Sequence, residues 1–253
     1  MKPYGGDFDY ETHGAGYATI RRPDPRIEAL IHAALGDARS VLNVGAGAGS
    51  YEPADRYVVA LEPAAMMRSQ RGPHRVPAIA GFAEALPFDD DAFDAVMAMM
   101  TVHQWSDLDK GLAELRRVSR GPVVVLAGDG DSLPRYWLND YAPDLIRAEQ
   151  GRYPAITRIA DRIGASAQVR HVPIHLDCTD GFTEAFYGRP ERLLDPAVRK
   201  AQSSWRFMPE GAEARFVESL SADLESGRWD DRHGHLRTQA TFESSMRLIV
   251  GQA

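Results

Sequence analysis

Three glycines spaced two apart, Gly45, Gly47 and Gly49, lie in VLNVGAGAGSYEP (Val41–Pro53), directly behind the apolar run Ser40–Val44. Glycine lets a backbone approach a ligand closely, and the N–H groups that follow a strand point at it, so this turn suits a nucleotide. The dinucleotide form G-x-G-x-x-G would place Gly or Ala at Ser50, so the turn departs from that pattern. The next apolar run, Tyr57–Leu61, ends in Glu62-Pro63. A carboxylate there accepts hydrogen bonds from both hydroxyls of a ribose.

These residues need a parallel sheet behind them. A helix begins at Asp24-Pro25, with Asp as cap and Pro in the first turn, runs through Ile27, Leu30, Ile31 and Leu35, and stops at Gly36. Strands are expected over Ser40–Val44, Tyr57–Leu61, Ala78–Ala80, Phe93–Met100 and Val123–Ala127, with helices over Ala64–Arg71 and Leu108–Val118 between them. The strands are continuous apolar runs, the mark of a parallel sheet covered on both faces. Further along, Ser132–Glu149 and Ala155–Ile163 read as helical, Gln168–Ile174 as a strand and Phe242–Val250 as a final strand. No repeat or linker divides the chain.

The segment GFAEALPFDDDAFDAVMAMMTVHQW, Gly81–Trp105, makes the pattern specific. With the glycine turn and the acidic strand end, Val41–Leu126 resembles the class I S-adenosylmethionine (SAM)-dependent methyltransferases of the ubiquinone/menaquinone-biosynthesis type, methyltransferase type 11. The resemblance rests on Ala83, Glu84, Leu86, Pro87, Phe88, Asp90, Phe93 and Asp94. It implies an α/β fold with a Rossmann-like doubly wound sheet, mostly parallel with an antiparallel last strand, helices on both faces and a helical cap. It also implies one domain: an N-terminal arm (1–22), a SAM-binding core (24–128), cap and substrate elements (129–235) and the final strand (242–250).

By the same resemblance Gly45, Ala46, Gly47 and Gly49 line the methionine moiety of SAM. Glu62 holds the ribose and Pro63 turns the chain beneath it. Phe82, Ala83 and Glu84 flank the adenine, and Met99 and Met100 lie below the sulfonium. Asp94 orients the loop before its strand. Tyr17 and Arg21 are placed over the cofactor by their position in the arm. The pattern departs at Asn43, where the family usually carries an acid that helps hold the ammonium of SAM.

Methyl transfer from a sulfonium is an in-line displacement, so alignment of the acceptor and exclusion of water come first. A base is needed only when the acceptor must lose a proton. His103, just past the fourth strand, is the first candidate, and packing beside SAM is its alternative role. His175, with Asp177 and Asp180 in HLDCTDGF, is the second; loop and capping roles compete there, and the spacing matches no metal motif. Trp105, Trp137, Tyr141 and Asp177 are candidates for the acceptor side. The aromatics outside the core, Tyr4, Phe8, Tyr10, Phe186, Tyr187 and Trp205 among them, either pack the cap or line an apolar acceptor pocket.

Composition narrows the partners. The 253 residues carry 29 Lys and Arg against 36 Asp and Glu, a net charge of −7, and the basic residues are scattered. A phosphate-gripping protein shows a basic face, so nucleic acid is disfavoured as substrate. No apolar run approaches a membrane span. The start of the sequence does not read as a secretory signal. The lone Cys178 fits a reducing cytoplasm and excludes an internal disulfide. The expected activity is methylation of a small molecule with S-adenosylhomocysteine (SAH) as product. A nicotinamide-dependent oxidoreductase and a non-catalytic SAM-binding protein are the alternatives.

Overall fold

A computed structural model describes residues 8–14, 16–164 and 166–252. Seven strands form one sheet: β1 (Ser40–Val44), β2 (Tyr57–Leu61), β3 (Ala78–Ile79), β4 (Ala95–Met99), β5 (Val123–Gly128), β6 (Gln168–His175) and β7 (Thr241–Gly251). Their order is β3-β2-β1-β4-β5-β7-β6. The first five are mutually parallel, and β7 runs antiparallel to both β5 and β6. The order reverses between β1 and β4, and the crevice beyond the carboxyl ends of strands at such a point is where open α/β sheets bind ligands.

Alternate residues of the strands serve the two faces. Leu42, Val44, Val96, Ala98, Val123 and Val125 pack on one side with Leu112, Leu115 and Val118 of the helix Leu108–Val118 and Ile159 and Ile163 of the helix Ile156–Ile163. Val41, Ala95, Met97, Val124 and Leu126 pack on the other with Ile27, Ile31 and Leu35. That second core continues without a break into Trp137, Tyr187, Trp205, Phe216 and Trp229. Apart from the helix Ile156–Ile163 and the strands β6 and β7, the later half of the chain therefore folds onto one face of the sheet.

Two expected elements differ. The helical run over Ser132–Glu149 is divided into 3₁₀ turns Gly130–Arg135 and Trp137–Asp140 and an α-helix Pro143–Arg152. Pro134 and Pro143 explain it, since a proline supplies no N–H to a helix interior and starts a helix well. The strand expected over Phe93–Met100 shortens to Ala95–Met99, and Phe93 makes a single bridge to Ser119. In β6 the register shifts between His171 and Pro173. Proline lacks a ladder donor and is confined to edges and irregularities, and β6 is the sheet's edge.

Trp137 and Tyr141, candidates for the acceptor side, belong to this packing. The Trp137 indole N–H donates to the Tyr187 carbonyl at 2.9 Å, and its ring meets that of Trp229 edge-on with centroids 5.4 Å apart. The Tyr141 hydroxyl donates to Asp223 Oδ2 at 2.9 Å. Neither lines the cleft described below. Trp137→Ala should cost about 3–5 kcal/mol of stability, the range for buried aromatics. Chemical denaturation checks this, and a change within 1 kcal/mol would contradict the packing role.

Candidate active site

The turn after β1 is built around close contact. Gly45 has φ +67°, and a Cβ added there would stand 2.1 Å from Thr101 Oγ1, so a side chain is excluded twice over. The Gly45 and Ala46 N–H groups donate to the Leu61 carbonyl at 2.9 and 3.0 Å, which closes the turn against the end of β2. Gly47 has φ +50°, and its N–H donates to Glu62 Oε2 at 2.9 Å. Glu62 Oε1 accepts the Ala64 N–H at 2.9 Å. One buried carboxylate thus ties the glycine turn to the segment after β2. Its burial raises its pKa above the usual carboxylate range, opposed by these two N–H donors.

Beneath the turn lies an ion pair that sequence reasoning missed. Arg71 holds Glu52 at 2.8 Å, with both side chains nearly without solvent contact. Arg71 also donates to the carbonyls of Gly47 and Val76. Glu52 Oε1 accepts Asn43 Nδ2 at 3.0 Å. The amide of Asn43 is thereby oriented, and its Oδ1 is left buried with no partner. Gly49 packs over this pair: a Cβ there would meet Glu52 Oε2 at 3.1 Å and Arg71 Nη1 at 3.2 Å. Gly49 serves the floor under the turn and does not line the cleft, unlike Gly45, Ala46 and Gly47.

The cleft over the strand ends spans about 1080 Å³, the open space at its mouth included. Its base is Met99 and Met100; Met100 carries φ +52°, a strained value for a side-chain-bearing residue. One wall is Glu62, Pro63, Phe82, Ala83, Glu84 and Trp105. Glu84 accepts the N–H groups of Ser106 and Asp107, so it also anchors the entry to the next helix. Asp94 accepts the N–H groups of Arg39 and Ser40 at 2.9 Å and pairs with Arg120, well away from the cleft.

The N-terminal arm forms the opposite wall with Phe8, Tyr10, Tyr17 and Arg21. It is docked at several points. Glu11 takes the N–H groups of Ala65 and Met66, and Gln70 donates to the Gly14 carbonyl at 2.8 Å. Arg21 pairs with Asp180 at 2.6 Å, and the Tyr51 hydroxyl donates to the same carboxylate at 2.7 Å. Arg21 therefore joins the arm to the loop after β6 at the cleft wall.

The polar segment after β6 contributes through Asp180, which lines the cleft. His175 and Asp177 do not. His175 is the last residue of β6, opposite Thr241. Asp177 is exposed and pairs with Arg26 at 2.6 Å. His103 lies in a smaller chamber next to the cleft, its ring edge-on to Tyr153 with centroids 5.2 Å apart. Among the described residues no group of His, Cys, Asp and Glu is arranged to hold a metal ion.

Residues 42–125 match the family model described as a methyltransferase domain. The chain is 34% identical over 116 residues to the uncharacterized methyltransferase YcgJ of Bacillus subtilis, 41% of this chain and 42% of that protein. It is 35% identical over 97 residues to the demethylmenaquinone methyltransferase of Mycolicibacterium gilvum, 36% of this chain and 42% of that protein. These matches span less than half the length of either relative. Among solved structures, a putative methyltransferase from an antibiotic biosynthesis pathway of Anabaena variabilis superposes with a TM-score of 0.85 at 28% identity. That alignment covers 92% of this chain and 99% of that one. Residues 42–125 thus carry a methyltransferase domain, on a fold shared with that solved structure.

The Rossmann-like sheet with its antiparallel β7 is a methyltransferase fold, shared with that solved structure. The role of Glu52 and Arg71 rests on burial. Removing one partner of a buried pair leaves the other uncompensated. Arg71→Met should cost about 3–5 kcal/mol. Thermal and chemical unfolding measure this, and a loss below 1 kcal/mol would show that the pair does not hold the turn.

Proposed function

We propose that the cleft binds SAM and that the chain transfers its methyl group to a small-molecule acceptor. The observation that carries this reading is the buried Glu62 carboxylate, fixed by two backbone donors beside the glycine turn. Each of its oxygens has a further lone pair for a ribose hydroxyl. The unpartnered Asn43 Oδ1, on a residue that lines the cleft, fits an ammonium donor. Phe82, Ala83 and Glu84 offer an apolar slot with a polar rim for adenine. Met99 and Met100 face the reacting end, while Gly45, Ala46 and Gly47 accommodate the amino-acid moiety.

Bound SAM supplies an electrophilic methyl on a positively charged sulfur. The chain's own part is to orient and to exclude water. Tyr17 and Arg21 close the arm over the cleft, and Arg21, held by Asp180, leaves little freedom at that wall. Trp105 covers the Glu84 side. His103 stands on the acceptor side of Met100, in the adjoining chamber. No helix of the described residues is long and apolar enough to cross a membrane.

Calorimetric titration tests the cofactor reading. SAM and SAH should bind and NADH should not; NADH binding without SAH would favour the oxidoreductase. Transfer of labelled methyl to acceptors separates an enzyme from a non-catalytic SAM-binding protein. Asn43→Asp restores the acid usual in the family, yet it sets a second carboxylate 3.0 Å from Glu52 Oε1. SAH affinity should fall roughly tenfold, about 1.4 kcal/mol. A tenfold gain would show that Glu52 does not govern this position.

A further inference from the structure

The reading above leaves the acceptor's chemistry open. Tyr10, Tyr17, Arg21 and Met100 wall the cofactor cleft, and the same four residues bound a second chamber on their far side. It spans about 610 Å³, the open space at its mouth included. The remaining walls include His103, Tyr153, Phe182, Glu149, Glu184 and Ser245. Tyr153 lies close over the end of β5, since a Cβ on Gly128 would stand 2.3 Å from its ring. A space that shares its wall with the methyl-donor cleft is where an acceptor must sit for in-line attack.

Two carboxylates, Glu149 and Glu184, line this chamber against one cation, Arg21. Glu184 is 6% exposed, accepts the Ser245 N–H at 2.9 Å and is also bonded by the Ser245 hydroxyl. Glu149, on the helix Pro143–Arg152, accepts a long 3.3 Å bond from the Tyr153 hydroxyl, and Ser204 and the charges of Arg152 and Arg21 also favour its anion. Neither carboxylate is ion-paired among the described residues. The nearby cations are engaged elsewhere: Arg21 with Asp180, and Arg247 with Asp129 at 2.9 Å. Arg152 donates to Ser203 Oγ and lies over the Phe207 ring. Burial pushes Glu184 up to about 7, and Glu149 adds to that rise. Burial raises Glu149 as well.

Resting on the function proposed above, we infer that this chamber receives an acceptor bearing a protonated amine, held by Glu149 and Glu184 and packed on Tyr10, Tyr17, Tyr153 and Phe182. A buried carboxylate gains most from a cationic partner, and aromatic faces attract the same charge. Ser245 stabilises Glu184 as the anion, which leaves Glu149 as the proton acceptor. The ammonium gives one proton to Glu149 and the freed lone pair forms the N–C bond. The C–S bond to the methyl breaks and its electron pair stays on sulfur.

The test is titration of the full chain, first with SAH and then, at SAH saturation, with three probes of one shape: phenethylamine, 2-phenylethanol and 3-phenylpropionate. Phenethylamine should bind at least about tenfold more tightly than the alcohol, and the carboxylate should not bind. Glu184→Gln and Glu149→Gln should each weaken the amine at least about tenfold while SAH affinity is kept. If SAH itself fails to bind, the methyltransferase reading fails. If SAH binds but the amine does not, or the alcohol or carboxylate binds as well, the amine inference alone is overturned. Amine binding that survives both substitutions overturns it too. Should Glu184→Gln not fold, Glu149→Gln carries the comparison.

Discussion

A single carboxylate joins the parts of this molecule that matter for a cofactor. Glu62 ends β2, accepts the N–H of Gly47 on one oxygen and that of Ala64 on the other. Without it the glycine turn and the segment after β2 would each carry an unsatisfied donor at the rim of the cleft. The Leu61 carbonyl, one residue earlier, takes the two preceding donors of the turn, the N–H groups of Gly45 and Ala46. The switch point between β1 and β4 leaves this place open, and the carboxylate gives it a defined shape.

A second layer supports the first. The Glu52–Arg71 pair fills the space under Gly49 and orients Asn43, the residue at which the sequence departs from the methyltransferase pattern it resembles. The departure therefore comes with a neighbouring carboxylate, not with a loss of acid from the region. The arm closes the opposite side through Arg21, whose partner Asp180 also holds Tyr51 from the glycine-turn side. Three distant stretches of sequence meet at that one carboxylate.

What was legible in the sequence was local. β1, β2 and the helix Leu108–Val118 have the bounds that their apolar runs imply, because buried parallel strands and an amphipathic helix announce themselves in consecutive residues. The glycines and Glu62 were readable for the same reason. Long-range pairings were not. Nothing near Glu52 marks it as the partner of Arg71, and nothing in HLDCTDGF distinguishes Asp180, which reaches the cleft, from His175 and Asp177, which do not. Trp137 and Tyr141 were ambiguous by nature, since an aromatic suits a pocket and a core equally. The core took them, through Tyr187, Trp229 and Asp223. The carboxylates facing the second chamber come from a helix and a 3₁₀ turn far apart in sequence, so only the fold brings them together.

The central claim is that Glu62 is both the clasp of the turn and the acceptor for the ribose. The direct measurement is SAH affinity of Glu62→Ala by calorimetry, with folding verified by the unfolding midpoint. Hydrogen bonds to a charged group contribute about 1.5–3 kcal/mol each, so affinity should fall by at least roughly tenfold in protein that remains folded. Unchanged SAH affinity in the folded variant would contradict the account.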